Sequence, residues 1–279
     1  MTGKAKNKKR IWLCVLLAGL LVLLLALAVV LSLSGSEGEP PEKPTTEATV
    51  PTTLPPPPEN TLGPEDFVYD GGYLTCTAAP SILGIDVSSF QGNVDWETVR
   101  EAGVSYVMIR VGGRGYGEEG GLYSDKLAQA NYQGAKAAGL DVGVYFFSQA
   151  LSVAEAKEEA LYTLQVIEGW ELDMPVVFDW ERMDTGRTAF ADPRTVTDCM
   201  VAFCEEVKTA GYRPMVYFNP DHSDSMFYIE EVTDYDFWLA MYTDWMTYPY
   251  QVDMWQYTKS GAVPGIQGQV DINLYFPEA

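Results

Sequence analysis

Histidine is almost missing from this chain: His222 is the only one in 279 residues. Zinc sites built on imidazole, and any Ser-His-Asp hydrolase, therefore have very little to work with. Cysteine is nearly as scarce, and Cys14, Cys76, Cys199 and Cys204 show no metal-ligand spacing. Cys199 and Cys204 lie five apart in a helical pattern where their side chains diverge, so buried free thiols are expected in place of a bridge. Positive charge is also short, with 18 Lys and Arg against 39 Asp and Glu. Five of the 18 (Lys4, Lys6, Lys8, Lys9 and Arg10) crowd the first ten positions, so residues 11–279 hold 13 basic against 39 acidic residues, a net of −26. Such a surface repels nucleic acid and anionic lipid, and a neutral substrate held by stacking and hydrogen bonds is expected.

The N-terminal sixty or so residues do not belong to a core. After the basic segment 1–10 comes an apolar run, Ile11 to Leu33, interrupted only by Gly19 and Ser32. At ~1.5 Å per residue it is long enough to cross a roughly 30 Å hydrocarbon layer as a helix. A cleaved signal peptide shares the basic start and apolar middle, but its core usually runs only ~7 to 15 residues. The expectation is an uncleaved transmembrane helix over 11–33 with the basic end cytoplasmic, by the positive-inside rule, and everything after Leu33 outside the cell membrane. Residues 34–64 carry nine prolines and six threonines, including the run Pro55 to Pro58. Proline fixes φ and removes donors, so this stretch predicts an extended linker without a core. A short pre-barrel segment, 65–81, precedes the main domain, 82–279.

In that domain short β-branched or aromatic runs alternate with amphipathic stretches. The runs are ILGIDVSS (82–89), YVMIRVGG (106–113), DVGVYFFS (141–148), PVVFDWE (175–181) and RPMVYFN (213–219). The stretches between them, DWETVREAG, SDKLAQANYQGAKAAG, SVAEAKEEALYTLQVIEGW and PRTVTDCMVAFCEEVKTAGY, read as helices, several closing on glycine. After residue 220 come DFWLAMY (236–242), VDMWQY (252–257) and VDINLY (270–275), with gaps too short for full helices. The pattern predicts an α/β fold: a modified TIM-like barrel of five β/α units followed by three β-strands. An open doubly wound sheet is the alternative, but no glycine-rich phosphate loop follows the first strand.

The tripeptide DWE occurs twice. Asp95 and Glu97 precede or begin a helical pattern, where a cap and a first-turn anion are sufficient explanation. Asp179 and Glu181 instead close an apolar strand, and residues i and i+2 of a strand share a face. In a barrel of this kind the working face is the C-terminal end of the strands. Asp86 and Asp271 occupy comparable strand ends. A carboxylate inside an apolar β run is costly unless something uses it; Arg110 could satisfy one of the four. Tyr145, Phe147, Tyr217, Trp238, Tyr242, Trp255 and Tyr257 crowd the same strands. Aromatic faces beside acids, without a phosphate loop, suit a carbohydrate cleft better than a calcium or magnesium cage, so no metal and no cofactor are expected.

These residues resemble family 25 of the glycoside hydrolases, muramidase-type lysozymes, over roughly Gly84 to Phe276. The resemblance rests on GIDVSSFQG with DW shortly after, GVYFF, PVVFDWE, WLAMY and the closing MWQYTKSGAVPGIQGQVDIN. It implies a barrel of five β/α units and three further strands. It also implies cleavage of the β-1,4 bond between N-acetylmuramic acid and N-acetylglucosamine in the glycan strands of peptidoglycan. Carried over position by position, it makes Glu181 the general acid and Asp179 the group that steadies the positive intermediate, with Asp86 and Asp271 around them. It leaves Tyr145, Tyr217, Trp238, Tyr242 and Gln256 as substrate-binding walls. A histidine many members carry after the third-strand tyrosine is Phe146 here, expected to point away from Tyr145. A monomer tethered to the membrane through its N-terminal helix is expected.

Overall fold

A computed structural model describes residues 54–277. The expected membrane helix at 11–33 and its cytoplasmic flank lie outside the described residues. Among those described, no helix is long and apolar enough to cross a membrane.

Two strands form a separate hairpin, β1 (Phe67–Asp70) and β2 (Tyr73–Cys76), paired antiparallel. Its turn is Gly71–Gly72, both at positive φ (60° and 93°), the backbone a tight hairpin demands and side chains resist. Eight strands close the barrel: β3 (Ile82–Val87), β4 (Tyr106–Arg114), β6 (Asp141–Ser148), β7 (Val176–Trp180), β8 (Pro214–Phe218), β9 (Asp236–Ala240), β10 (Met254–Gly261) and β11 (Val270–Tyr275). Neighbours run in the order β3, β11, β10, β9, β8, β7, β6, β4, and the β4–β3 pairing completes the ring. All these pairings are parallel except the two made by β11, which runs against both β10 and β3. The fold is therefore α/β with an eight-stranded closed barrel, as the alternating runs predict.

The helices are α1 (Trp96–Glu101), α2 (Ala128–Ala137), α3 (Val153–Val166), α4 (Pro193–Thr209) and α5 (Pro220–Ser225), the first and last only six residues long. Asp95, Ser152, Asp192 and Asn219 cap four of them by accepting a backbone N–H at the first turn, which satisfies donors the helix cannot use internally. The second helix starts four residues later than its pattern suggests. Residues Leu122–Ser124 (β5) pair antiparallel with the end of β4 instead, and Asp125 is occupied elsewhere, as described below.

Strand alternation sorts the core into two layers. Ile85, Val107, Ile109, Val144, Phe146, Val176, Phe178, Val216 and Phe218 face outward to the helices. Tyr106, Met108, Val177, Met215, Trp238, Met254 and Tyr275, with Met174 just ahead of β7, fill the barrel itself. Phe146 is fully buried in the outer layer against Tyr162, away from the barrel interior as expected. Trp255 and Tyr257, grouped with the cleft aromatics on sequence, also face outward. The period-two alternation decides this, because Met254 and Gln256 take the inward positions. On this side no helix follows β10, and the β1–β2 hairpin covers it. Phe67 meets Trp255 edge-on at 5.1 Å, and the Leu74 N–H donates to the Tyr257 hydroxyl at 3.4 Å. The pre-barrel segment thus packs on the barrel and buries Cys76. The last part of the proline-rich stretch also reaches it: Glu59 bridges to Tyr250, and the Asn60 N–H donates to the Pro249 carbonyl. Cys76, Cys199 and Cys204 are buried free thiols.

Candidate active site

At the C-terminal end of the parallel strands a cavity of about 240 Å³ opens, lined by Asp86, Arg110, Tyr145, Phe147, Asp179, Glu181, Tyr217, Trp238, Tyr242, Gln256, Lys259 and Asp271. All four carboxylates singled out on sequence meet there. So do the five proposed wall residues.

Each carboxylate arrives by a different local route. Asp86 is inward on β3 and nearly buried. Asp179 is inward on β7, in register with Phe147 of β6 and Tyr217 of β8. Glu181 lies one residue beyond β7, on the same face by alternation. Asp271 sits near the start of its strand, yet the antiparallel direction of β11 brings that start to the same end of the barrel, in register with Asp86.

Asp86 is held by two amides. Gln256 Nε2 donates to its Oδ2 at 2.8 Å and Asn273 Nδ2 donates to the same oxygen at 2.9 Å. Gln256 Oε1 in turn accepts from the Tyr217 and Tyr242 hydroxyls at 3.0 and 3.1 Å. Asn273 Oδ1 accepts from Trp238 Nε1 at 2.8 Å. Every donor in this chain points toward Asp86, so rotating the Asn273 amide would break two bonds at once and rotating the Gln256 amide three. Trp238 is only 1% exposed and is wedged edge-on between Tyr145 and Tyr217. It forms the floor of the cavity, while Tyr242, 47% exposed, stands at the rim with the Lys259 ammonium 5.1 Å from its ring centre.

Arg110 does not pair with any of the four acids. It donates two N–H groups to Asp125 Oδ2 at 2.9 and 3.0 Å, and Asp125 also accepts the backbone N–H groups of Ser89 and Leu127. The expectation that Arg110 could satisfy one site carboxylate is corrected by this prior engagement. Its charge acts on the site only at longer range.

Left without a direct cation, all four acids have raised pKa values. Burial, opposed by the Asn273 and Gln256 bonds, pushes Asp86 up to about 6. Burial first, then the charges of Glu181 and Asp86, raise Asp179 well above its ordinary range. Glu181 is raised by burial and then by Asp86. Burial, Asp86 and Glu181 push Asp271 up to about 8, with Lys259 pulling the other way. Four carboxylates in one small cavity cannot all ionise near neutral pH, so a proton resides there. Asp179 Oδ1 is buried without a hydrogen-bond partner in the structure.

Sequence reasoning missed Asn273, although it stands two residues after Asp271 and the alternation used for the D-x-E pair would have found it. It also missed Gln149 and Thr188, which hold the Glu181 backbone and have no local signature. His222 is remote from this chemistry: it is buried edge-on against Trp180, on the outer side of β7.

A closed α/β barrel with clustered acids at its C-terminal mouth defines a class, a glycoside hydrolase. The pattern of glycosyl hydrolases family 25 matches residues 85–266, and the chain belongs to that family, as an enzyme of the muramidase type. It is 26% identical to Lysozyme M1 of Streptomyces globisporus over 234 residues, covering 78% of this chain and 72% of that one. The solved lysozyme of Streptomyces coelicolor superposes with a TM-score of 0.59 at 25% identity, over 71% of this chain and 93% of the other. The modular autolysin LytC of Streptococcus pneumoniae, solved with a synthetic peptidoglycan ligand, shares the fold with a TM-score of 0.65 at 23% identity. The match covers 75% of this chain but only 52% of LytC.

Proposed function

We propose that the enzyme hydrolyses the β-1,4 bond between N-acetylmuramic acid and N-acetylglucosamine in peptidoglycan, with Glu181 as general acid and Asp179 stabilising the intermediate. The observation that carries this reading is the set of four carboxylates with raised pKa values at the barrel mouth, Asp86 and Asp179 buried and Glu181 and Asp271 half-buried. A general acid must keep its proton at working pH, and burial among other acids does this for Glu181.

In the proposed reaction the bond from the anomeric carbon to the leaving 4-oxygen breaks as the Glu181 proton moves to that oxygen. Positive charge develops on the ring. Asp179 lies on the same strand face two residues back, and its unpartnered Oδ1 suits an N–H of the substrate's own acetamido group. An acetamido oxygen so oriented closes on the anomeric carbon. Water then attacks that carbon as its bond to the acetamido oxygen breaks and the acetamido group is regenerated, and it returns a proton to the Glu181 carboxylate. Asp86 is too firmly held by Gln256 and Asn273 to move. It serves as a fixed negative charge, and Asp271 at the rim holds a hydroxyl or the incoming water. The aromatic floor and rim of Trp238, Tyr145, Tyr217 and Tyr242 would take the sugar faces.

We further propose that the run 11–33 anchors the chain in the cell membrane with the barrel outside as a monomer, where its substrate lies. Release of reducing ends from purified peptidoglycan by the full chain tests the activity. The expected result is turnover by wild type and none by Glu181→Gln; binding without any release in wild type would replace the hydrolase reading with a binding one. Protease treatment of intact cells tests the topology, and a barrel protected from external protease would sink it.

A further inference from the structure

We infer that Gln149 and Thr188 are positioning residues that lock the backbone of the general acid, an inference resting on the assignment of Glu181 above. Glu181 lies just past the last residue of β7, so its carbonyl is outside the strand ladder that orders Asp179. A buried carbonyl without a ladder partner must be satisfied some other way. Gln149, the first residue after β6, supplies it: Nε2 donates to the Glu181 carbonyl at 2.7 Å and to the Ser148 carbonyl at 2.9 Å. Gln149 Oε1 accepts from the Thr188 hydroxyl at 3.0 Å, which also lies 3.3 Å from the Glu181 carbonyl. Thr188 Oγ1 in turn accepts the Met183 N–H at 3.0 Å. The loop that leaves Glu181 is thus folded back onto its own start.

The latch is buried and braced. Gln149 and Thr188 are both fully buried, as are Ser148 and Glu159. The Ser148 hydroxyl donates to Glu159 and accepts the Ala150 N–H, and Glu159 is gripped by Arg114 at 2.7 Å. On the other side of Glu181, Trp180 Nε1 donates to the Ala150 carbonyl at 3.1 Å. The turn 148–150 therefore grips β7 on both sides of the acid. Neither Gln149 nor Thr188 lines the cavity, so neither touches substrate. What they set is the φ and ψ of the residue whose carboxyl must meet the leaving oxygen.

The test compares full-length wild type with Gln149→Met, which keeps much the same volume and loses the donor, and with Thr188→Val, which keeps the shape and loses the hydroxyl. Thr188→Ser serves as the rescue. Two substrates are used: peptidoglycan glycan strands, whose leaving sugar needs a proton, and a dinitrophenyl glycoside of N-acetylmuramic acid, whose leaving group needs none. On glycan strands kcat is expected to fall about 10- to 100-fold in Gln149→Met and Thr188→Val, the loss a misplaced reacting group produces, with KM changed less than about twofold and Thr188→Ser near wild type. On the aryl glycoside the same variants should keep kcat/KM, which reports the first bond cleavage, within about threefold, because acid placement no longer matters for that step. Equal losses on both substrates, or folded variants with unchanged kcat on glycan strands, would overturn the inference. Those outcomes differ from failure of the functional reading, in which wild type itself releases no reducing ends or Glu181→Gln remains active.

Discussion

The same three letters, DWE, start a helix in one place and end a barrel strand in another, and their neighbourhoods have almost nothing in common. Asp95 is exposed and spends both oxygens on Thr98, accepting its N–H at 3.2 Å and its hydroxyl at 2.9 Å. Asp179 is buried, with one oxygen unpartnered and its pKa well raised. The tryptophans differ less. Trp96 packs under the ring of helices against Gly134, and Trp180 is fully buried behind the site. What separates the copies is the company of the acids: solvent and a helix N-terminus for one, three other carboxyls and an aromatic floor for the other.

Glu181→Gln should break the comparison most sharply, lowering kcat by about 1,000-fold or more without loss of fold, whereas Glu97→Gln should leave activity unchanged. Circular dichroism alongside the reducing-end assay checks both. Next in size, Trp180→Ala should cost roughly 3 to 5 kcal/mol by opening a cavity behind β7, and denaturant titration would read it as a lower midpoint.

Activity at the barrel mouth should also respond to pH. Glu181 has its pKa raised above the usual carboxylate value, so the active protonated form persists to higher pH and kcat should decline as pH rises through that raised value. A rate that instead climbed into alkali would contradict the assignment of the acid. Stability follows the same sign. Asp271 ionises near 8 in the fold and near 3.8 free, so its favourable contribution is complete below the free value and is lost as pH rises toward 8. Asp271→Asn should therefore melt with wild type near pH 4 and a few degrees higher than wild type at pH 9, while losing activity. The smallest effect belongs to the helix cap: Asp95→Ala should cost about 1 kcal/mol and Asp95→Asn less, at unchanged kcat.

How far the site could be read from sequence depended on whether a residue's role is local. Asp179 and Glu181 were legible because spacing along one strand fixes which face they share. Phe146 was placed outward by the same rule. That rule, applied one strand further, would have moved Trp255 and Tyr257 to the outer layer and brought in Asn273. Arg110 was misjudged because its partner, Asp125, lies just ahead of a helix that the sequence pattern started four residues too early. Gln149 and Thr188 carry no pattern at all, since their value lies in reaching a carbonyl 32 and 7 residues away.

By itself the sequence determined the alternation of strands and helices, the count of eight barrel strands and the shared face of Asp179 and Glu181, because hydrophobic periodicity and caps are encoded within a few residues of each position. Only the tertiary structure decided that Asp271, at the start of its strand, joins the others. That outcome depends on β11 running antiparallel between β10 and β3, and strand direction is set by pairing across the sheet. The raised pKa values belong to the same category: a carboxylate is shifted by what surrounds it, and the surroundings of these four come from opposite ends of the chain.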